Sequence, residues 1–141
     1  MANYVSCTTT NYFQVTSEQE LRDLVSRIDC ADEIEISSAT EKGKTYYSLC
    51  AYGSFLGLID NDVTDDLYKE FQRILPDGEV LVIFEIGHEK LRYVGGSTAV
   101  ITNETYQYKS LKDVAETMAR NITSNPAYEL LLYGGITYEQ N

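Results

Sequence analysis

The chain has 141 residues, of which 43% are hydrophobic and 23% charged, and these proportions indicate a globular domain rather than a disordered segment. The 22 acidic residues against 11 basic ones give a net charge of −11, which should repel nucleic acid and anionic membranes. Direct binding to DNA, RNA or a lipid surface is therefore not expected, and another protein is the predicted partner.

The sequence shows neither a secretion signal nor a membrane span. The opening residues MANYVSCTTT lack the basic and apolar regions of a signal peptide, and no run of about 18 apolar residues occurs. Cys7, Cys30 and Cys50 lie at unrelated spacings, which argues against zinc ribbons and thioredoxin-type redox sites. A cytoplasmic protein with a single domain over residues 1–141, reduced cysteines and no cofactor is predicted.

The first half of the chain alternates between strand and helix patterns. Residues 4–15 are rich in Tyr, Val, Thr and Phe, which favour a strand. Ser17 and Glu20 then form a capping-box pattern at the start of an amphipathic helix that ends near Cys30. The pattern of residues 33–52 predicts a hairpin, because strand-like segments flank a glycine-containing turn.

The second half repeats this alternation and ends on a helix. An amphipathic helix capped by Asp62 or Thr64 is predicted to stop at residues 76–78, which contain proline and glycine. Residues 79–86, EVLVIFEI, predict a central strand because they are almost continuously apolar. Further strands are predicted at 90–95, 97–102 and 105–108. Ser110 is predicted to cap a third helix.

These elements predict an α+β fold. The order β-α-β-β-α-β of the first six elements is the split βαβ pattern of ferredoxin-like folds. One or two further strands would extend the antiparallel sheet, and a C-terminal helix would follow. Residues 1–109 would contain the sheet with its two crossover helices, and residues 110–141 the last helix and a tail. Right-handed crossovers place the first two helices on the same face of the sheet.

The histidine of the chain, His88, lies in the segment FEIGHEKLRYVGG, residues 84–96. A turn at His88 and Glu89 would pair apolar with apolar, acidic with basic and aromatic with aromatic side chains across a hairpin. The predicted pairs are Ile86 with Leu91, Glu85 with Arg92, and Phe84 with Tyr93. A general base or a metal site would need further convergent ligands, and the sequence holds no second histidine. His88 is therefore predicted to be a turn residue, and no catalytic residue or metal site is predicted.

The acidic segment DNDVTDDLYKE, residues 60–70, partly resembles a calcium-binding loop. An EF-hand requires glycine at its sixth position and glutamate at its twelfth, whereas counting from Asp60 places Asp65 and Phe71 there. Helix capping and the helix dipole explain the carboxylates better. A metal-binding or small-ligand-binding protein that uses the cluster from Asp60 to Asp66 is kept as an alternative function.

Two windows of the sequence hold nearly all of the net charge. Residues 17–42 contain eight acids and three bases, and residues 60–79 contain seven acids and two bases, so each window nets −5. Each window contains one crossover helix, so a strongly negative helical face is predicted. Such a face would compete with nucleic acid for a basic groove, and its binding would weaken as salt rises. The predicted contact residues are Glu18, Asp23, Asp62, Asp65, Asp66 and Glu70.

The aromatic composition suggests a second kind of contact. The chain has 12 tyrosines and no tryptophan. Tyrosine is enriched at protein interfaces because it joins an apolar ring to a hydrogen-bonding tip. A structural homodimerisation module, in which the acidity serves only solubility, is therefore the main alternative.

Four segments resemble, in texture and order, a group of small acidic proteins of phages and conjugative elements of bacteria. They are NYFQVTSEQELRDLV, YGSF, ILPDGEVLVIFEIGHEKLRYV and ITNETYQY, and the resemblance covers most of residues 10–120. It includes no active-site motif, so no functional residue carries over. Proteins in that setting often counter host defence, some of them as acidic mimics of nucleic acid. The resemblance thus implies a non-enzymatic anti-defence protein that binds a nuclease or another nucleic-acid-binding protein.

Overall fold

A computed structural model describes residues 5–61, 63–90 and 93–123, and within these ranges the chain forms a six-stranded sheet, a small two-stranded sheet and three helices. The elements of the first half are β1 Val5–Thr10, α1 Glu18–Ser26, β2 Ile28–Asp29, β3 Glu35–Glu41, β4 Lys44–Tyr52 and β5 Gly57–Leu58. Those of the second half are α2 Thr64–Ile74, β6 Leu81–Glu89, β7 Tyr93–Ile101, β8 Tyr106–Ser110 and α3 Leu111–Ile122. The predicted α+β class is confirmed.

The strands of the main sheet follow the order β3-β4-β1-β6-β7-β8, and every neighbouring pair is antiparallel. The two short strands β2 and β5 pair only with each other. Strand β1 lies between β4 and β6, which are far from it in sequence, so the centre of the sheet depends on long-range pairing.

Helices α1 and α2 lie side by side on one face of the main sheet and cover its core. Their apolar stripes bury Leu21 and Leu24 from α1, and Leu67, Phe71 and Ile74 from α2. Alternate residues of the central strands complete this core, namely Leu49, Leu81 and Ile101. The opposite face of the sheet therefore has no cover from these two helices, and it carries α3.

The helix starts differ in how closely they follow the sequence pattern. Ser17 caps α1 as predicted, because its hydroxyl accepts from the backbone N–H of Glu20 at 3.3 Å. The predicted cap of α2 by Thr64 is wrong, since Thr64 is the first helical residue and Val63 occupies the cap position without a side-chain bond. Asn61 takes over part of this role, because its side-chain oxygen accepts from the Val63 N–H at 3.2 Å.

The predicted register of the His88 hairpin is wrong. Strand β6 continues to Glu89, the backbone turns at Lys90 with φ 55°, and His88 pairs with Val94. On its other side β6 pairs with β1 as far as the partners His88 and Val5. Two-sided backbone pairing extends the strand past the predicted turn, since cross-strand side-chain preferences contribute only about 0.2 to 1 kcal/mol each.

The residues after this turn also differ from the prediction. Ile86 pairs with Gly96, Glu85 with Ser97, and Phe84 with Thr98. The predicted partners Leu91 and Arg92 lie outside the described residues. Strand β7 runs unbroken through Gly95 and Gly96, so the predicted division into strands at 90–95 and 97–102 is wrong. In the described ranges, no helix is long and apolar enough to cross a membrane.

Candidate functional site

Two of the predicted contact residues, Glu18 and Asp23, lie on α1. The Glu18 carboxylate forms an ion pair with Arg22 at 2.8 Å and accepts from the Tyr47 hydroxyl at 2.9 Å. These hydrogen bonds, first that of Arg22 and then that of Tyr47, lower the pKa of Glu18. Asp23 accepts from the side-chain amide of Gln19 at 2.9 Å. Glu18 is therefore partly neutralised within its own helix.

Glu70 on α2 is held between two arginines. Its carboxylate lies 2.7 Å from Arg27 and 3.3 Å from Arg73, and Arg73 also reaches Glu20 on α1 at 2.5 Å. The hydrogen bond from Arg27 has the largest effect on Glu70 and lowers its pKa, while partial burial opposes the shift and Arg73 adds to it. The two helices are thus joined by alternating charges.

Two further predicted residues, Asp65 and Asp66, lie in the first turn of α2. Asp66 accepts from the side-chain amide of Asn61 at 2.6 Å. Asp65 forms a hydrogen bond with Tyr106, whose pKa is raised by burial and then by the negative charge of Asp65. Asp62 lies outside the described residues. Across the described part of the chain, no three His, Cys, Asp or Glu side chains are grouped so that they could hold a metal ion.

The charge of the helical face is smaller than that of the windows that contain it. Helix α1 holds three acids and one base, and α2 holds three acids and two bases. Together the two helices carry a charge of −3, out of the −10 that the two acidic windows of the sequence hold. Most of the rest lies in loops and at the sheet edge, where Asp32, Glu33 and Glu35 are exposed. The structure therefore interleaves arginines among the carboxylates of the helices and leaves denser acidity around strand β3.

A cleft of about 380 Å³ opens at the N-terminal end of α2, on the helical side of the sheet. We call it the tyrosine cleft, and we define it by Ser54, Asp65, Tyr68, Glu85 and Tyr108, which all line it. Burial, and then the neighbouring phenol and carboxylates, raise the pKa of Tyr68 to about 12. Four separate elements or loops contribute these five side chains.

The sequence patterns do not predict this cleft. Tyr68 falls on the apolar side of α2 and Glu85 falls inside the strand EVLVIFEI, so neither residue stands out in the sequence as part of a site. The one available signal was Glu85 itself, because a carboxylate in an otherwise apolar central strand needs a polar surrounding. It has one, since Ser54 Oγ donates to Glu85 Oε2 at 2.8 Å and lies 2.9 Å from Ser6 Oγ.

The opposite face of the sheet exposes a group of apolar side chains that are adjacent by strand register. We call it the open sheet face, and we define it by Val5, Val82, Phe84, Ile86, Val94 and Val100. Val94 is 73% exposed, Ile86 61% and Phe84 49%. His88 lies between Val5 and Val94 in the register, and Cys7 pairs with Ile86, so an imidazole and a thiol adjoin this patch.

Helix α3 rests on the edge of the open sheet face by its first turn. A capping box between Ser110 and Asp113 starts the helix. Gly96 leaves room for it, because a Cβ on Gly96 would come within 2.9 Å of the Leu111 side chain. A cleft of about 230 Å³ separates α3 from the sheet. The apolar stripe of α3 stays exposed, and Met118 is 61% accessible to solvent.

Comparisons with known proteins give little further information. No protein-family model matches the chain, and no curated protein matches it. A match among solved structures is "LarC2, the C-terminal domain of a cyclometallase involved in the synthesis of the NPN cofactor of lactate racemase, apo form". It has 9% sequence identity and a TM-score of 0.35, with 100% of each chain covered. A likeness at this level carries no argument about the fold or the activity of the present chain.

Proposed function

We propose that this protein is a non-enzymatic protein-binding module, and that it pairs with a second copy of itself through the open sheet face. The observation that carries the proposal is the group of exposed apolar side chains on the sheet surface opposite α1 and α2. Its projected size is roughly 15 Å by 20 Å from strand spacing and rise. Contiguous apolar patches of a few hundred square ångströms usually mark an interaction site.

The charge of the chain favours a second copy over a charged partner at this face. A net charge of −11 makes two copies repel each other, so they can approach only where the contact surfaces carry little charge. Val5, Phe84, Ile86 and Val94 supply such a surface, whereas the exposed carboxylates of α1 and α2 lie on the other side of the sheet. Pairing face to face keeps the carboxylates of α1 and α2 on the two copies apart, and the nearest acid by register on the open side is Glu35, three strands away from Phe84.

This arrangement predicts an unusual salt dependence. An apolar contact between like-charged molecules should tighten as added salt screens their repulsion. A complex between an acidic face and a basic partner should instead weaken as salt is added. The small projected area indicates a dimer that dissociates at micromolar rather than nanomolar concentrations. Sedimentation equilibrium of the full chain at about 50 mM and about 500 mM salt measures the association directly.

A matched pair of variants tests which surface is used. Ile86→Glu places a charge in the open sheet face, and Ile59→Glu places the same charge at an isoleucine that is 66% exposed outside it. We expect Ile86→Glu to weaken the dimer at least about tenfold, since an unpaired charge buried at an interface is strongly disfavoured. Equal effects of the two variants, or a monomeric parent chain at all concentrations, would contradict the proposal.

We also propose that the first six main elements form a ferredoxin-like core. Strands β3, β4, β1 and β6 are neighbours in that order, and α1 and α2 lie on one face, which supports the split βαβ arrangement. Strands β7 and β8 would then be the predicted extension of the sheet. An experimentally determined structure in which β1 lay at the edge of the sheet would contradict this assignment.

The mobile-element and anti-defence function is a second proposal, supported by the net charge and by the exposed acids near β3. Asp32, Glu33 and Glu35 form no ion pair within the described residues, unlike Glu18 and Glu70. If the protein blocks a basic groove, amides at these three positions should reduce capture of a purified DNA-binding nuclease. If the parent chain inhibits the nuclease and amides at these three positions do not reduce the inhibition, this surface is not the one that binds.

A further inference from the structure

The tyrosine cleft combines an apolar floor with two carboxylates. Ile83 and Ala99, which are 7% and 2% exposed, lie at its base, and Glu85 projects from the same strand as Ile83. Asp65 enters from the first turn of α2. Within the described residues neither carboxylate has a basic group at ion-pair distance, so the cleft holds negative charge that nothing in this part of the chain neutralises.

Tyr68 adds a second, independent feature. Its side chain is 7% exposed, and in the described part of the chain its hydroxyl makes no hydrogen bond, although it lines the cleft. Its ring is held from behind by an edge-to-face contact with Tyr106 at 5.4 Å. The ring is buried, but the hydroxyl does not belong to the fully buried atoms of the described residues that lack a partner, so it opens into the cleft and is free to form a hydrogen bond with a ligand. An unpartnered phenol between two unneutralised carboxylates points to a ligand.

We propose that the tyrosine cleft binds a small organic cation with a primary ammonium group, which donates hydrogen bonds to Glu85, Asp65 and the Tyr68 hydroxyl. An ammonium group has three donors and no acceptor, which matches two carboxylates and a phenol oxygen. The apolar floor suits the alkyl stem that such a group carries. The cleft volume of about 380 Å³ lies near the lower end for ligand pockets, which indicates a metabolite-sized molecule or a single side chain.

Two sources could supply this chemistry, a free alkylamine or a lysine side chain of another protein. The first probe is n-butylammonium chloride, and n-butanol is its uncharged control, both titrated into the full-length chain at constant ionic strength. We expect saturable changes in the backbone amide resonances of Ser54, Asp65, Tyr68 and Glu85 with butylammonium only. The blocked tripeptide Gly-Lys-Gly then distinguishes the sources: tighter binding of the peptide assigns a partner's lysine, and weaker binding assigns a free amine.

Variants of the carboxylates decide whether the cleft itself is responsible. Asp65→Asn and Glu85→Gln should each weaken butylammonium binding at least about tenfold, since a hydrogen bond between charged groups is lost. Asp66→Asn is the matched control. It removes the same charge from a neighbouring carboxylate, and this carboxylate does not line the cleft. Tyr68→Phe should weaken binding by about threefold to tenfold without removing any charge.

Three results would overturn the proposal. One is the absence of a saturable response to butylammonium, and another is an equal loss of affinity in Asp66→Asn and Asp65→Asn, which would show general attraction to an acidic protein. The third is a response to calcium chloride at the same amides that exceeds the response to butylammonium. The cleft lies on the opposite side of the sheet from the open sheet face, so failure here leaves the dimer proposal intact, and the reverse also holds.

Discussion

The Tyr47 hydroxyl donates a hydrogen bond of 2.9 Å to Glu18 Oε1, which joins strand β4 to the first turn of helix α1. Tyr47 belongs to the core, with 7% of its surface exposed, whereas Glu18 is on the protein surface and is also paired with Arg22. The same contact lowers the pKa of Glu18, after the larger effect of Arg22, and raises the pKa of Tyr47. Both shifts indicate that the bond favours an ionised glutamate and a neutral phenol.

Tyr47→Phe should therefore destabilise the protein in a pH-dependent manner. A carboxyl group whose pKa is lowered by folding stabilises the folded state above its ordinary pKa of 4.5. This stabilisation is lost as the pH falls through the pKa of the group in the folded protein. We expect the variant to be less stable than the parent at pH 7, and the difference to shrink below pH 4.5. Urea denaturation across this range measures it, with Tyr46→Phe as the control because Tyr46 faces the other side of the sheet.

Glu70→Gln tests the ion pairs that join α1 to α2. The variant removes the partner of both Arg27 and Arg73, and the pairs are partly exposed, so we expect a loss of about 0.5 to 1 kcal/mol at pH 7. Because the pKa of Glu70 is lowered, this contribution is lost as the pH falls from 4.5 through the folded-state value. Asp23→Asn removes a carboxylate that, within the described residues, is bound only to Gln19, and an equal loss of stability in that variant would refute the role of the arginines.

Tyr68→Phe should change the alkaline stability of the protein. Burial raises the pKa of Tyr68 from 10.0 to about 12, so in this interval the phenol ionises in the unfolded chain before it does so in the folded one. Stability that is present below pH 10 is lost as the pH rises to about 12, by about 3 kcal/mol at most from this group. Between pH 10 and about 12 the free energy of unfolding, measured by chemical denaturation, should therefore fall less in the variant than in the parent. Parallel loss in both proteins would contradict the shift.

A pair of threonines gives predictions of opposite sign. Thr98 Oγ1 is buried without a hydrogen-bond partner in the described residues, whereas Thr8 Oγ1 donates to the Gly53 carbonyl at 2.8 Å. Thr98→Val removes an unsatisfied hydroxyl at nearly constant volume and should stabilise the fold by about 1 kcal/mol. Thr8→Val removes a satisfied one and should destabilise the fold by about the same amount. Thermal denaturation distinguishes them, and a destabilised Thr98→Val would show that its hydroxyl is partnered in solution.

Gly96→Val tests the seating of α3 on the sheet. The added side chain would occupy the space of Leu111, because even a Cβ at Gly96 comes within 2.9 Å of it. We expect amide hydrogen exchange in α3 to accelerate at least about tenfold while the strands keep their protection, since the helix buries no residue fully. Thr98→Val lies on the same strand and face and serves as the control. Unchanged exchange in α3 would show that Leu111 does not hold the helix.

Much of the secondary structure could be predicted because it depends on local patterns. The 3.6-residue stripes of α1, α2 and α3 place their apolar residues on one side of each helix, and this requires no knowledge of the rest of the chain. Ser17 and Ser110 cap their helices by bonds to amides three residues ahead, which are equally local. The glycine turn at Gly43, where φ is 77°, follows from the conformational freedom of that residue.

Strand register and the positions of the side chains that face one another were decided only by the tertiary structure. His88 is in a strand rather than a turn because β1 pairs with β6, and these strands are separated by about half of the chain. Arg27 and Arg73 neutralise Glu70 only because α1 and α2 lie side by side. Asp65, Tyr68, Glu85 and Tyr108 meet in one cleft because helix α2 and strands β6 and β8 converge there. Composition determined the net charge, but long-range packing decided where that charge is paired and where it faces an open cleft.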